Sequence, residues 1–197
     1  YPFCLTYPLE IKEGESFSMI LGDSNEWQIE PKWDGIRAQI IVRKGARVIW
    51  SRGEQLLNEQ IPEIEATLKA ISDERSFVLD GEILAWNFKI NQVRSFADLQ
   101  KRLGRKKVSQ KILKEIPVVF MAYDLLEIND FDLRLKPTAE RRDALEKWIP
   151  FNETSIIKLS PVFDASKGWE AMAQIRDHSR EKGIEGLMLK QKTAIYS

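Results

Sequence analysis

Glu30-Pro31-Lys32-Trp33-Asp34-Gly35-Ile36-Arg37 sets two acids, a lysine and an arginine directly ahead of the apolar run 38–42. A charged cluster at the mouth of a strand contributes little to folding. A lysine flanked by carboxylates and followed by a turn-forming Asp-Gly presents an amine to a bound phosphate. Lysine is a poor nucleophile while protonated, and desolvation or nearby cations activate it. Lys32 has Arg37 close by, with Pro31 and Trp33 beside it. Residue types alone leave a second reading open: an exposed lysine on a hairpin, paired with Glu30 or Asp34 to little energetic gain.

Outward from this stretch, 36–42 and 47–50 are β-rich runs separated by Lys44-Gly45, a hairpin signal, and Ser51-Arg52-Gly53-Glu54 follows as a turn. Pro62 opens a helix with Ile61, Ile64, Leu68 and Ile71 at helical spacing. The apolar run 77–86 is broken by Asp80-Gly81-Glu82. Ser95 caps a short helix carrying Phe96, Leu99 and Leu103, closed by Gly104. A strand at 118–126 contains Tyr123-Asp124 and ends at the turn Asn129-Asp130. Thr138 caps a helix reaching Trp148, 155–162 reads as a strand, Ser166 caps a helix running to Lys182 before Gly183, and 185–190 is the last strand. Residues 1–27, interrupted by Pro2, Pro8, Gly14 and Gly22, read as an irregular lead-in. The pattern predicts an α+β fold with mostly antiparallel sheets flanked by helices. With neither repeat nor linker, 1–197 reads as one domain.

Composition narrows the chemistry. The 197 residues are 43% hydrophobic, enough for a substantial core, and no apolar run is long enough to span a membrane. Lys+Arg and Asp+Glu are 30 each, so any nucleic-acid contact must use a local patch or another domain. One histidine, His178, in a charged helical stretch, removes His-based triads and most zinc sites. The single cysteine, Cys4, excludes an internal disulfide, points to a reducing cytoplasm, and is expected to be a buried, inert thiol.

Several other polar groups interrupt strands that otherwise read as core. Asp80 and Glu82 stand inside an apolar run, where carboxylates are costly unless paired or metal-bound. Glu185-Gly186 precedes Leu187-Met188-Leu189, with Lys190 at the far end, while Arg52 and Tyr123-Asp124 sit at comparable positions. Singly each is more often structural. Together they offer cations for phosphates, acids for ribose and metal, and a ring for a base.

Lys32-Trp-Asp34-Gly35-Ile-Arg37 resembles the first motif of the covalent nucleotidyltransferases: DNA ligases, RNA ligases and mRNA capping enzymes. Ser51-Arg52-Gly53, Leu79-Asp80-Gly81-Glu82, Ala122-Tyr123-Asp124-Leu125 and Glu185-Gly186-Leu187-Met188-Leu189-Lys190 resemble the later motifs, in the same order. Glu30 two residues before Lys32, and the run 96–106, are similar to ATP-dependent DNA ligases of bacterial and archaeal type.

The resemblance implies an ATP-grasp-like nucleotidyltransferase fold and an adenylation reaction. Lys32 would attack the α-phosphate of ATP and hold AMP. Glu30 would accept from the adenine amino group, Tyr123 would stack on the ring, and Glu82 would bind the ribose hydroxyls. Arg37 and Arg52 would contact ribose and phosphates, and Lys190 would join the nucleotide site. Glu185, with Glu82, would hold Mg²⁺, while Asp34, Gly35 and Asp80 would support the site. Lys101, Arg102, Arg105 and Lys106 would touch DNA phosphates without reading sequence, although a merely solubilising basic run has the same composition.

The resemblance also has gaps. No fifth motif can be read after Lys190, and neither an oligonucleotide-binding (OB) barrel nor an N-terminal DNA-binding domain can be read in the chain. The expectation is an adenylation-domain fragment of a monomeric cytoplasmic ligase acting on nicked duplex DNA in repair or replication, weak or inactive alone. An RNA ligase, a capping-type transferase and a non-catalytic nucleotide- or DNA-binding module are the rival readings.

Overall fold

The structure, a computed structural model, describes residues 1–71, 74–105, 108–148 and 155–197. Its strands are β1 (Trp27–Trp33), β2 (Ile36–Arg43), β3 (Ala46–Ser51), β4 (Phe77–Asn87), β5 (Gln92–Val93), β6 (Val118–Ile128), β7 (Phe131–Asp132), β8 (Ile157–Leu159) and β9 (Ile184–Gln191). The main sheet runs β3-β2-β4-β6-β7, with β5 paired to β4 and β8 to β6. Only β8 joins in parallel; the other pairings among the described residues are antiparallel. β1 and β9 form a separate two-stranded ribbon. The helices are α1 (Phe17–Leu21), α2 (Pro62–Lys69), α3 (Phe96–Leu103), α4 (Gln110–Glu115), α5 (Thr138–Trp148) and α6 (Gly168–Asp177). The α+β fold with mostly antiparallel sheets is as expected. No helix of the described residues is long and apolar enough to cross a membrane.

The period-two alternation of the long strands divides the main sheet into two unlike faces. Ala38, Ile40 and Val42 of β2, and Phe77, Leu79, Ile83 and Ala85 of β4, point to the face covered by Ile64 and Leu68 of α2, Leu99 of α3 and Leu145 of α5. At about 1.5–3 kcal/mol per fully buried large aliphatic side chain, this face supplies most of the fold's stability. The opposite face is banded. Along β4, Val78 joins a patch with Leu126 and Tyr196, and Leu84 and Trp86 join another with Val119 and Met121. Between them lie the polar Asp80 and Glu82.

The ribbon is two-faced as well. Ile29 packs with Leu187 and Leu189 against Met172 and Ile175 of α6, leaving Gln28, Glu30 and Lys32 on the other side. β1 carries Pro31, which a central strand would not tolerate. Here β1 pairs fully only with β9, and an isolated bridge from Ile29 to Phe163 lies on its other side. Gly35 turns the chain from ribbon to sheet so tightly that a Cβ there would lie 2.3 Å from the carbonyl oxygen of Ile83. The Trp33 indole N–H donates to Ser160 Oγ at 3.0 Å and fixes the ribbon to the sheet at the same point.

Several local expectations need correction. The lead-in 1–27 contains α1, and Trp27 already begins β1. β1 escapes the sequence pattern because charges and a proline hide its alternation. Thr138 is the first helical residue of α5 rather than its cap; its hydroxyl donates to Ala194 O at 3.0 Å. The strand expected at 155–162 is only Ile157–Leu159, with part of that range next to residues outside the description. Ser166 caps nothing: Asp164 caps a short 3₁₀ turn there, α6 follows, and a second 3₁₀ turn ends at the left-handed Gly183. α4, capped by Ser109, is an element the sequence pattern does not announce. Cys4 is half-buried rather than buried, packed beside Val78, Leu126 and Tyr196. His178 is exposed.

Candidate active site

The polar band of the main sheet and the polar face of the ribbon form the two walls of the site. On the ribbon, antiparallel register sets Gln28 opposite Lys190, Glu30 opposite Met188 and Lys32 opposite Gly186. The register then slips: Trp33 pairs with Ile184, leaving Glu185 as an extra residue in a β-bulge. Bulges re-aim side chains, and here the Glu185 carboxylate meets the Lys32 ammonium across 153 residues of sequence. Both side chains remain near half-exposed, 45% and 42%. A second ion pair crosses the ribbon in the reverse sense, Lys190 Nζ lying 3.1 Å from each oxygen of the buried Glu30. Gln28 Nε2 also donates to Glu30 Oε1.

The main-sheet wall contains Arg37, Asp80, Glu82 and Tyr123. Tyr123 too sits at a slip in register, where Asp80 pairs with Asp124 but Gly81 with Ala122. The Lys190 ammonium lies 4.6 Å over its ring, joining the two walls. Asp80 is fully buried and grips Arg37 with both oxygens, at 3.2 and 2.7 Å. Tyr196 donates its hydroxyl to the same carboxylate at 2.6 Å, and Arg37 donates to Cys4 O at 2.5 Å. Arg37 is therefore held mainly by protein. Its side chain, expected at ribose and phosphates, retains 18% exposure.

The electrostatics follow from this geometry. Burial works against the Arg37 charge, but the hydrogen bonds and charge of Asp80 hold it above the usual arginine range. Burial pushes the Glu82 carboxyl up to about 8; Arg37 opposes the rise and Asp80 and Glu185 add to it. Desolvation and then Asp80 hold the Tyr123 hydroxyl well above the ordinary phenol value. Asp34, in the turn between β1 and β2, is raised by burial and by Glu185, with Lys32 acting against both. Carboxylates thus converge on Lys32 from three segments. Among the described residues no group of three or more His, Cys, Asp or Glu side chains encloses a metal position.

Arg52, beyond the end of β3, is exposed, and its backbone N–H donates to Arg37 O at 2.9 Å. A cavity of about 470 Å³ opens beside the ribbon, lined by Asp34, Glu185, Arg94, Ser95, Phe96 and Arg180, among others. Lys101 and Arg105 are exposed near the end of α3, Lys101 pairing with Asp98 at 3.2 Å. Arg102 is a correction. It is fully buried, donates to the carbonyls of Gln60 and Ile116, and pairs with Glu63, so it holds α3 to α2 and reaches no DNA phosphate. The signal is present in the sequence: Arg102 lies three residues after Leu99, on the helix's inward face. Lys106 lies outside the described residues. Sequence reasoning misses Gln28 and Tyr196, because only strand register and the path of the chain bring them to Glu30 and Asp80.

The family model described as the ATP dependent DNA ligase domain matches residues 12–197. The chain belongs to that family. Among curated relatives, a probable DNA ligase of Koribacter versatilis is 32% identical over an alignment covering 86% of this chain and 32% of its own length. A DNA ligase of Thermoplasma volcanium is 32% identical, covering 82% of this chain and 27% of its own. In three dimensions this ligase-family chain is similar to the ligase domain of M. tuberculosis LigD, with a TM-score of 0.66 and 26% identity over 89% of this chain and 52% of that one. The chain spans less than a third of the length of the curated relatives it matches.

Proposed function

We propose that this ligase-family chain is the adenylation domain of a longer ATP-dependent DNA ligase, with Lys32 as its nucleophile. The observation that carries the reading is the meeting of Lys32 with Glu185, beside Glu30, Tyr123 and Glu82, at the junction of ribbon and sheet. The neutral amine of Lys32 forms a P–N bond to the α-phosphorus of ATP as the bond to pyrophosphate breaks. Pyrophosphate leaves with the electron pair and the amine proton passes to solvent. An oxygen of a 5′-phosphate at a nick next displaces Lys32 from AMP. The 3′-hydroxyl then attacks the phosphorus of that 5′-phosphate, loses its proton and expels AMP.

Glu30 accepts from the adenine amino group, Tyr123 stacks on the ring, and Glu82 faces the ribose. Arg37, Arg52 and Lys190 supply positive charge to ribose, phosphates and the Glu30 wall. Asp34 orients Lys32. Gly35 permits the tight crossing, and Asp80 holds Arg37. Magnesium suits the donor set, since it takes one or two carboxylates together with substrate phosphates; Glu185 would offer a hard oxygen, and Glu82 would join it on giving up the proton that burial keeps on it. When bound, it stabilises the negative charge that builds on the phosphates. Lys101 and Arg105 contact the phosphates of nicked duplex DNA. An OB barrel and an N-terminal DNA-binding domain of the same full-length chain complete the enzyme, which we assign to the cytoplasm as a monomer in repair or replication.

Full-length protein incubated separately with α-labelled ATP and GTP tests the reading. ATP is expected to leave a stable adduct that peptide mass analysis maps to Lys32 and that Lys32→Ala abolishes. Labelling by GTP alone, or an adduct surviving Lys32→Ala, overturns it. Residues 1–197 alone are expected to self-adenylate weakly or not at all.

A further inference from the structure

We infer that Gln28 determines the base specificity of the site by fixing which oxygen of Glu30 meets an incoming purine. The inference rests on the proposal that Glu30 accepts from the adenine amino group. Gln28 and Glu30 are two residues apart on one strand, so their side chains share the ribbon's polar face. Both are buried, at 4% and 1% exposure. Gln28 donates to Glu30 Oε1, while Lys190 Nζ lies 3.1 Å from both oxygens.

The two oxygens are therefore unequal. Oε1 accepts from two donors and Oε2 from one. A carboxylate oxygen offers about two acceptor sites, so Oε2 keeps one for a ligand. Lys190 also caps the Tyr123 ring, which places this acceptor site beside the surface on which a base would stack. Adenine presents an amino group there, a donor. Guanine presents a carbonyl oxygen at the equivalent position, an acceptor facing an acceptor, and a site built to receive a donor rejects such an analogue.

Discrimination of this kind lasts only while Glu30 is held still. Without the Gln28 amide, Oε1 loses a donor in a buried setting, and the carboxylate is free to turn toward Lys190. The base would then meet a carboxylate in no fixed orientation. Gln28 acts through Glu30 and is a positioning residue, not a catalytic one.

The test is adenylation of full-length protein at Lys32, with ATP and GTP titrated separately. For Gln28→Leu, which keeps bulk and loses the amide, KM for ATP is expected to rise about ten-fold or more, the scale of one buried hydrogen bond. kcat should change by no more than about two-fold if chemistry itself is untouched, and the preference for ATP over GTP should fall. Gln28→Glu should behave worse at neutral pH and recover as acidification protonates it into a donor. Should Gln28→Leu fail to fold, Gln28→Glu and its pH profile decide the matter. Unchanged KM and selectivity would overturn the inference, as would equal losses in kcat for both nucleotides with KM unaffected. Glu30→Leu, which removes every acceptor, separates this from the underlying reading: if it leaves ATP usage intact, the assignment of Glu30 to the adenine is what fails.

Discussion

The ribbon and the main sheet each bring acidic and basic side chains to the same cleft, yet they use them in opposite ways. On the sheet, Asp80 and Arg37 are locked: the carboxylate is fully buried, takes three hydrogen bonds and is tied through Tyr196 to the far end of the chain. On the ribbon, Lys32 and Glu185 are near half-exposed and hold each other. Burial, rather than residue type, separates the two. A buried pair is costly to break, whereas an exposed pair is worth about 0–1 kcal/mol and can be exchanged for a ligand at little cost. The sheet is thus the fixed wall, together with the enclosed Glu30–Lys190 end of the ribbon, and the Lys32–Glu185 end of the ribbon is the responsive one.

The largest effects follow from cutting each wall at its centre. Lys32→Ala should remove the nucleotide adduct altogether while shifting unfolding free energy by less than about 1 kcal/mol, as for an exposed pair. Asp80→Ala should do the reverse to the fold, costing about 3 kcal/mol, the low end for a buried pair, because it leaves the half-buried Arg37 without its carboxylate. Urea unfolding followed alongside adduct formation separates the two. If Lys32→Ala destabilised the protein as much as Asp80→Ala, the division into fixed and responsive walls would be wrong.

The same division explains what is legible in the sequence. The strands of the main sheet are legible because their apolar alternation faces one large core; 36–42, 47–50, 77–86 and 118–126 all fall within β2, β3, β4 and β6. β1 is not legible, since its pattern is interrupted by Glu30, Pro31 and Lys32 and its partner begins some 150 residues later. The residue types of the site announce themselves as charges inside strands. Their arrangement does not, because Glu185 and Tyr123 owe their positions to slips of register, a long-range property. Arg102 misleads for the converse reason: a basic run hides one arginine whose helical phase points inward.

Glu82 tests the boundary between the walls, being on the sheet but turned to the ribbon. Its folded value of about 8 lies above the ordinary 4.5, so the folded protein keeps a proton that the unfolded chain has lost. The stabilisation from that retained proton is complete below about 4.5, erodes as pH rises, and is gone above about 8. Glu82→Gln cannot ionise. The variant should therefore gain on the wild type between pH 5 and pH 8, by on the order of 2 kcal/mol given partial solvation. Urea midpoints across that range check it. Parallel profiles would place Glu82 in water and make the cleft more open than the structure has it.

The smallest effect concerns the outer face of α3, where neighbouring cations again divide by burial. Lys101 projects into solvent and pairs with Asp98, while Arg102 beside it is enclosed. If Lys101 touches a DNA phosphate, Lys101→Ala in the full-length protein should weaken binding to nicked duplexes equally across sequences. The slope of log affinity against log salt should fall by about one, as when a single phosphate is no longer neutralised. Stability should stay within about 0.5 kcal/mol, as at most surface positions. An unchanged slope would return Lys101 to the solvated surface. The DNA path would then have to run along other cations, and exposed Arg52 at the mouth of the site is the first to try.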